Sequence, residues 1–211
     1  MRAIWGIVLL ALALPAAADV IEVEYSRFYS HVSKLDDEDT NALQFAFGFV
    51  KVGEGRLCEI RDANIVTDKK TLPLDVTGEY RFTVPTERAL KLAEAVVAID
   101  LGDPANQCDM SVQLETRPEY LKQEYSVDDL ELLMDQYSAF FNEMGSFLSF
   151  MMPSVEGLVF QFEDDYLDAA VPYAPRINKG TLILSEEWLE DARLLRLPHA
   201  PMRVTAKTSG N

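Results

Sequence analysis

The sequence predicts an α+β fold: a disulfide-stapled, β-rich N-terminal half, with a long amphipathic helix and a smaller α/β C-terminal segment packed on it. Three observations carry this expectation. From Val20 to residue 117, short apolar alternations are broken by glycine and proline, the pattern of antiparallel strands joined by turns. From Ser126 to Pro153, apolar residues recur every three or four positions, the spacing of one helix face. Two cysteines, Cys58 and Cys108, lie behind an N-terminal export signal, and an oxidising compartment pairs such thiols.

The export signal is read from MRAIWGIVLLALALPAAA. Arg2 gives a positive start, Ile4 to Leu14 an apolar run, and Ala16-Ala17-Ala18 a small-residue cleavage site. The run is shorter than the roughly 20 residues a membrane-spanning helix needs. Cleavage is expected after Ala18, and residues 1–18 take no part in the fold. The next residue is Asp19 rather than Cys, which argues against a lipoprotein. The mature chain divides into a β-rich region over 19–117, the long helix with a small α/β segment over 118–206, and a disordered tail over 207–211.

The elements follow in order. Val20 to Glu24 alternates apolar and acidic residues and reads as a half-buried strand. Tyr25, Phe28, Tyr29, Val32 and Leu35 recur at helical spacing, and the acidic run Asp36 to Asp39 stops that helix. Leu43, Phe45, Phe47 and Phe49 alternate on one face of a strand that ends at Gly53 and Gly55. Further strands are expected over Leu57 to Ile60, Ile65 to Thr67, Tyr80 to Val84, Ala95 to Leu101 and Met110 to Glu115. Turns fall at Pro73, Gly78, Pro85, Gly102 and Pro104, and a short helix over Glu87 to Ala93.

Beyond a boundary at Pro118 to Tyr125, Ser126 followed by Asp129 has the form of a helix cap, and Asp128, Asp129 and Glu131 suit the positive end of the helix dipole. Leu130, Tyr137, Met144 and Met151 repeat every seven residues; Leu133, Phe140 and Phe147 do the same, as do Met134, Phe141 and Leu148. Three apolar positions per heptad make a stripe wide enough to face a core. The same stripe could instead serve as a partner seam or line an apolar ligand. On that second reading Tyr137, Phe140, Phe141, Met144, Phe147 and Met151 form the interface. Strands over Gly157 to Phe162, Thr181 to Leu184 and Met202 to Ala206, and a short helix over Glu186 to Ala192 capped by Ser185, complete the chain.

The cysteines admit one internal bridge, Cys58–Cys108. They lack the C-x-x-C spacing of a redox dithiol, and neither His31 nor His199 lies near them in sequence, so a structural bridge is expected over a reactive thiol or a metal site. Closing a loop of that length stabilises a fold by about 4 kcal/mol in the chain-entropy account. Cys108 is expected just before a strand whose buried face starts at Met110 and Val112.

Charge narrows the function classes. The chain carries 35 acidic and 19 basic residues, a formal net charge of −16. Such a chain repels phosphate backbones and anionic membranes, so nucleic acid is excluded as an expected partner. The most apolar later stretch, Phe140 to Phe160, contains Asn142, Glu143, Pro153 and Glu156, which are costly at mid-bilayer, so no membrane span is expected after cleavage. No G-x-S-x-G, S-x-x-K, H-E-x-x-H or P-loop occurs, and no catalytic residue, cofactor or metal is assigned. His31 and His199 read as packing or surface residues. Asp36 to Asp39 and the run Glu163, Asp164, Asp165, Asp168 lack calcium-loop spacing and read as solvated acidic loops. Tyr25, Phe28 and Tyr29 read as core.

The segments EVEYSRFYSHVSKL, CEIRDANIVTDKKTLPL, VPTERALKLAEAVVAIDL and CDMSVQL resemble an uncharacterised family of exported gammaproteobacterial proteins, known only as a domain of unknown function. The resemblance covers Val20 to Glu115. It implies a periplasmic or envelope location in a Gram-negative cell and transfers no activity, cofactor or catalytic residue. The leading expectation is a periplasmic, non-enzymatic module that binds a protein, peptide or envelope component. Two alternatives stand beside it: an envelope-polymer hydrolase using paired carboxylates, and a carrier of an apolar ligand on the Met/Phe helix face.

Overall fold

A computed structural model describes residues 19–144, 154–191 and 193–209. The expected signal peptide over residues 1–18, Phe147, Met151 and the Met144 side chain lie outside the described residues. β1 (Asp19–Glu24) runs directly into α1 (Tyr25–Val32), which a 3-10 turn at Ser33–Leu35 closes. There follow β2 (Leu43–Lys51), β3 (Ile60–Val66), β4 (Thr71–Leu74), α2 (Arg88–Leu92), β5 (Val96–Leu101) and β6 (Cys108–Thr116). After β7 (Glu124–Tyr125) come α3 (Val127–Met144), β8 (Val155–Gln161), β9 (Thr181–Ser185), α4 (Glu186–Glu190), β10 (Leu195–Arg196) and β11 (Arg203–Thr208).

Among the described residues all the strand pairings are antiparallel. One sheet has the order β1-β5-β3-β4, a second β11-β8-β9; β2 with β6 and β7 with β10 form two-stranded ribbons. β2 shows why the aromatic alternation makes a strand here. Phe45, Phe47 and Phe49 bury one face, and Phe28 of α1 meets Phe47 edge-on with ring centroids 4.9 Å apart. The opposite face, with Ala46 and Gly48, is buried as well, so the strand is covered on both sides. Tyr25 and Phe28 are fully buried, which confirms their reading as core.

The long helix keeps its predicted start. Ser126 Oγ accepts from the Asp129 amide (3.1 Å) while Asp129 Oδ2 accepts from the Ser126 amide (3.0 Å), the reciprocal capping box. Leu130, Leu133, Tyr137 and Phe140 are buried, with the Phe140 ring 5.7 Å from that of Phe45. One apolar core thus continues from the first half of the chain into the second.

Five expectations need correction. The strands expected at Leu57 to Ile60 and Ile65 to Thr67 are replaced by the single strand β3, with Leu57 making only an isolated bridge to Val50. Its pairing with β5 slips between Ile60 and Asp62, so the buried positions fall at Ile60, Ala63 and Ile65, a bulge that breaks the two-residue period. Pro73 is not a turn but sits in β4, the outermost strand, where its missing N–H costs no ladder bond. Tyr80 to Val84 is not a named strand; Phe82 alone bridges to Phe47 and Val76. Cys108 is the first residue of β6 rather than preceding it, and Met110, opposite the buried Phe49, is itself 41% exposed instead of starting a buried face. Finally, Lys207 and Thr208 belong to β11, paired with Gly157 and Val155, and the Ser209 amide donates to the Ser154 carbonyl. The tail expected to be disordered therefore begins inside a sheet.

Candidate functional site: a charged cleft between the ribbon and the C-terminal sheet

Where the β2–β6 ribbon meets β11, the turn leading to Phe82 leans across and leaves a cleft of about 690 Å³. Its floor and walls come from Gln44, Arg81, Glu115 and Arg203, and Asp75, Glu163 and Asp165 stand at its edge. Five distant stretches of chain meet here, and local chemistry explains how the charged ones inside arrive.

The turn is built by Thr77. Its amide donates to the Arg81 carbonyl (2.7 Å), its carbonyl accepts from the Tyr80 amide (3.0 Å), and its hydroxyl accepts from the Arg81 amide (3.2 Å). Tyr80 adopts φ +56°, an uncommon value for a residue with a side chain. The turn can lie against β2 because position 48 is glycine. A Cβ there would stand 3.1 Å from the Tyr80 carbonyl oxygen, 3.4 Å from Arg81 Cγ and 3.7 Å from Arg81 Nη1.

Arg203 opens β11 and is 8% exposed. Nε donates to Gln161 Oε1 (2.7 Å), Nη2 reaches the same oxygen, and Nη1 pairs with Glu79 Oε2 at 2.7 Å. Across the ribbon, Gln44 and Glu115 are register partners, and Gln44 Nε2 donates to Glu115 Oε1 at 3.0 Å. Burial pushes the Glu115 carboxyl above the ordinary range. The Gln44 hydrogen bond and the charges of Arg203 and Arg81 pull it back, and Glu79 adds to the rise.

Arg81 is the member without a partner. Its Nε and Nη1 are buried and have no hydrogen-bond partner among the described residues, and burial followed by repulsion from Arg203 lowers its pKa while Glu115 and Glu79 oppose that. An unsatisfied buried donor costs about 1–3 kcal/mol, more when charged. Folds keep few such groups, and those they keep call for a reason.

The other residues singled out from sequence fall elsewhere. Cys58 and Cys108 are bonded, with Cα atoms 6.3 Å apart. Tyr137 and Phe140 are buried in the core, and Phe141 is half-buried with its ring against that of Phe140. Tyr137 Oη donates to the Val204 carbonyl (2.8 Å) and lies 3.1 Å from Thr116 Oγ1, so this helix residue ties α3 to β6 and β11. Its neighbour Gln136, 4% exposed, accepts from the Ala42 amide (2.6 Å) and donates to Asn41 Oδ1 (2.8 Å). His31 packs edge-on against Phe45 and Phe47, and His199 against Phe162. In the acidic runs, Asp37, Asp164 and Asp168 accept backbone amides of their own loops. Among the described residues no group of His, Cys, Asp and Glu is arranged to hold a metal, and no helix is long and apolar enough to cross a membrane.

Sequence reasoning missed Arg81, Glu115 and Arg203. Gly48, inside an apolar and aromatic strand, was the one local mark of the site, since glycine in a strand interior signals close approach of other backbone.

Fold and cleft together define a disulfide-stapled α+β chain with a small, charged, partly buried site. Residues 17–162 match the family described as Protein of unknown function (DUF2987), and the chain belongs to it. The match extends past the N-terminal segments to include α3 and β8. No curated protein and no solved structure matches the chain.

Proposed function

We propose that the mature protein is a non-enzymatic binding module of the periplasm, and that the cleft lined by Arg81, Glu115 and Arg203 is where its ligand sits. The observation that carries this reading is Arg81: its buried Nε and Nη1 have no hydrogen-bond partner among the described residues, and it stands at the wall of a cleft of about 690 Å³. That volume lies within the range of small-molecule sites, about 300–1,000 Å³. Two further observations agree. Arg203 opens a strand, and the backbone of Arg81 is fixed by the Thr77 turn and the bridge of Phe82 to Phe47, which favours pre-organised binding. Glu115 and Glu79, the acids nearest the arginines, are engaged by Gln44 and Arg203, which suits charge balancing better than proton transfer. The periplasmic placement rests on the expected signal peptide and on a disulfide that fits an oxidising compartment.

Native mass spectrometry of the protein purified from its own cell envelope tests the reading. The wild type is expected to carry a small-molecule adduct that Arg81→Gln loses. Identical spectra for the two proteins would overturn it. So would turnover of envelope-polymer fragments that Glu115→Gln abolishes, which is the outcome the paired-carboxylate hydrolase requires.

A further inference from the structure

The charge pattern of the cleft says which ligand it suits. We infer that the site takes a small zwitterion, an amino acid or short peptide, with its carboxylate on Arg81 and Arg203 and its ammonium group at the rim formed by Asp75, Glu163 and Asp165. This inference rests on the cleft being the binding site.

The inner part of the cleft holds two guanidinium groups and two carboxylates, Arg81, Arg203, Glu79 and Glu115. Only one of the four possible cation–anion pairs is a close ion pair, Arg203 with Glu79. Glu115 is taken up by an amide donor, and Arg81 is left without a hydrogen-bonded counter-ion in a desolvated position. A carboxylate entering here meets the unpaired Arg81 guanidinium, with Arg203, already held by Glu79 and Gln161, adding positive charge beside it; charge-assisted hydrogen bonds are strongest in such a desolvated place.

The rim argues against a plain anion. Asp75, Glu163 and Asp165 are all exposed and come from two separate loops, the end of β4 and the segment after β8. A phosphate or a dicarboxylate must pass these three like charges and gains nothing from them. A ligand with an ammonium group a few bonds from its carboxylate satisfies both zones at once. The volume admits a dipeptide and excludes a folded protein, which would meet only the rim.

The test is isothermal titration of the full mature chain with four small probes: dialanine, N-acetylalanine, alaninamide and inorganic phosphate. Dialanine is expected to bind. N-acetylalanine, lacking the ammonium, should bind several-fold more weakly, and alaninamide, lacking the carboxylate, should not register. Arg81→Gln should weaken dialanine at least about tenfold, and Arg81→Lys, which keeps the charge and loses the planar fork, should weaken it less. Unchanged circular dichroism in both variants ties the loss to the site rather than to the fold. Asp75→Asn should weaken dialanine while leaving N-acetylalanine no weaker, since it removes a like charge from that anion's path. Equal or tighter binding of phosphate or N-acetylalanine would overturn the inference, as would silence from dialanine up to about 10 mM. If the native adduct is nevertheless present and lost in Arg81→Gln, the zwitterion is wrong and the cleft still binds. If both fail, the site itself is wrong.

Discussion

Glu115 shows how one side chain in this protein can matter in two ways. Its partner Gln44 and the nearby Arg81 and Arg203 favour the carboxylate, yet burial outweighs them and its pKa is raised. Glu79 and, from α3, the Tyr137 hydroxyl also face this charge. A raised folded pKa means that the folded chain holds a proton the unfolded chain has already released. Stability from this group is therefore complete below the ordinary carboxylate pKa of about 4.3 and falls as pH rises towards the folded value. Glu115→Gln removes the titration while keeping an acceptor for Gln44. The difference in melting temperature between variant and wild type should grow in the variant's favour as pH is raised from about 4 to 7. Thermal unfolding across that range checks it, and parallel curves would show that Glu115 ionises in the fold as it does in the open chain.

Among the elements, β8 is the most exacting. Gly157 has φ +149°, and a Cβ there would lie 2.0 Å from the Leu184 carbonyl oxygen of β9. On its other side the register with β11 shifts, Lys207 facing Gly157 and Thr208 facing Val155, so Glu156 is the extra residue of a bulge. Only a residue without a side chain admits both neighbours. Gly157→Ala should destabilise the chain by about 2 kcal/mol or more, read as a lower urea midpoint with an unchanged slope. A variant within error of wild type would mean that β9 does not approach β8 this closely. The same contrast between regular and irregular elements decides what could be read from sequence. β1, α1, β2 and β5 obey a single period from end to end and were legible. β3 was not, because the bulge near Arg61 moves its buried residues from spacing two to spacing three. β4 was hidden by Pro73, which reads as a turn until the strand is known to lie at the sheet edge. The cleft was illegible for a different reason. Its four charged residues sit at positions 79, 81, 115 and 203 in a chain rich in charge, and nothing local separates them from solvated side chains.

At the scale of the molecule, the β2–β6 ribbon forms one wall of the cleft and is fastened at both ends by different means. At one end α3 reaches it: Gln136 accepts from Ala42, next to the start of β2, and Tyr137 lies beside Thr116, the end of β6. At the other end the bridge Cys58–Cys108 closes it, with Cys108 paired to Lys51 and the Cys58 amide donating to the Phe49 carbonyl. Asp103 reinforces that end, taking Lys51 at 2.8 Å and Arg56 at 2.7 Å, which hold its carboxyl well below the usual range. The helix clamp is buried and the bridge end is more open, so the covalent bond does most where noncovalent packing is thinnest. Alkylation without reduction should accordingly find no free thiol in the purified protein, and two modified cysteines would remove the staple from the account. With the bridge present, Cys58→Ala/Cys108→Ala should lose about 4 kcal/mol, a fall in melting temperature of roughly 8–16 °C for a chain of this size. Hydrogen exchange locates the effect. The amides of Lys51, Val52 and Cys58, which bond to Arg56, Gln107 and Phe49, should lose protection in the variant well before that of Ala42, held by Gln136. Uniform loss along the whole ribbon would mean that the bridge acts only on the unfolded chain and leaves the two ends of the native ribbon equally secure.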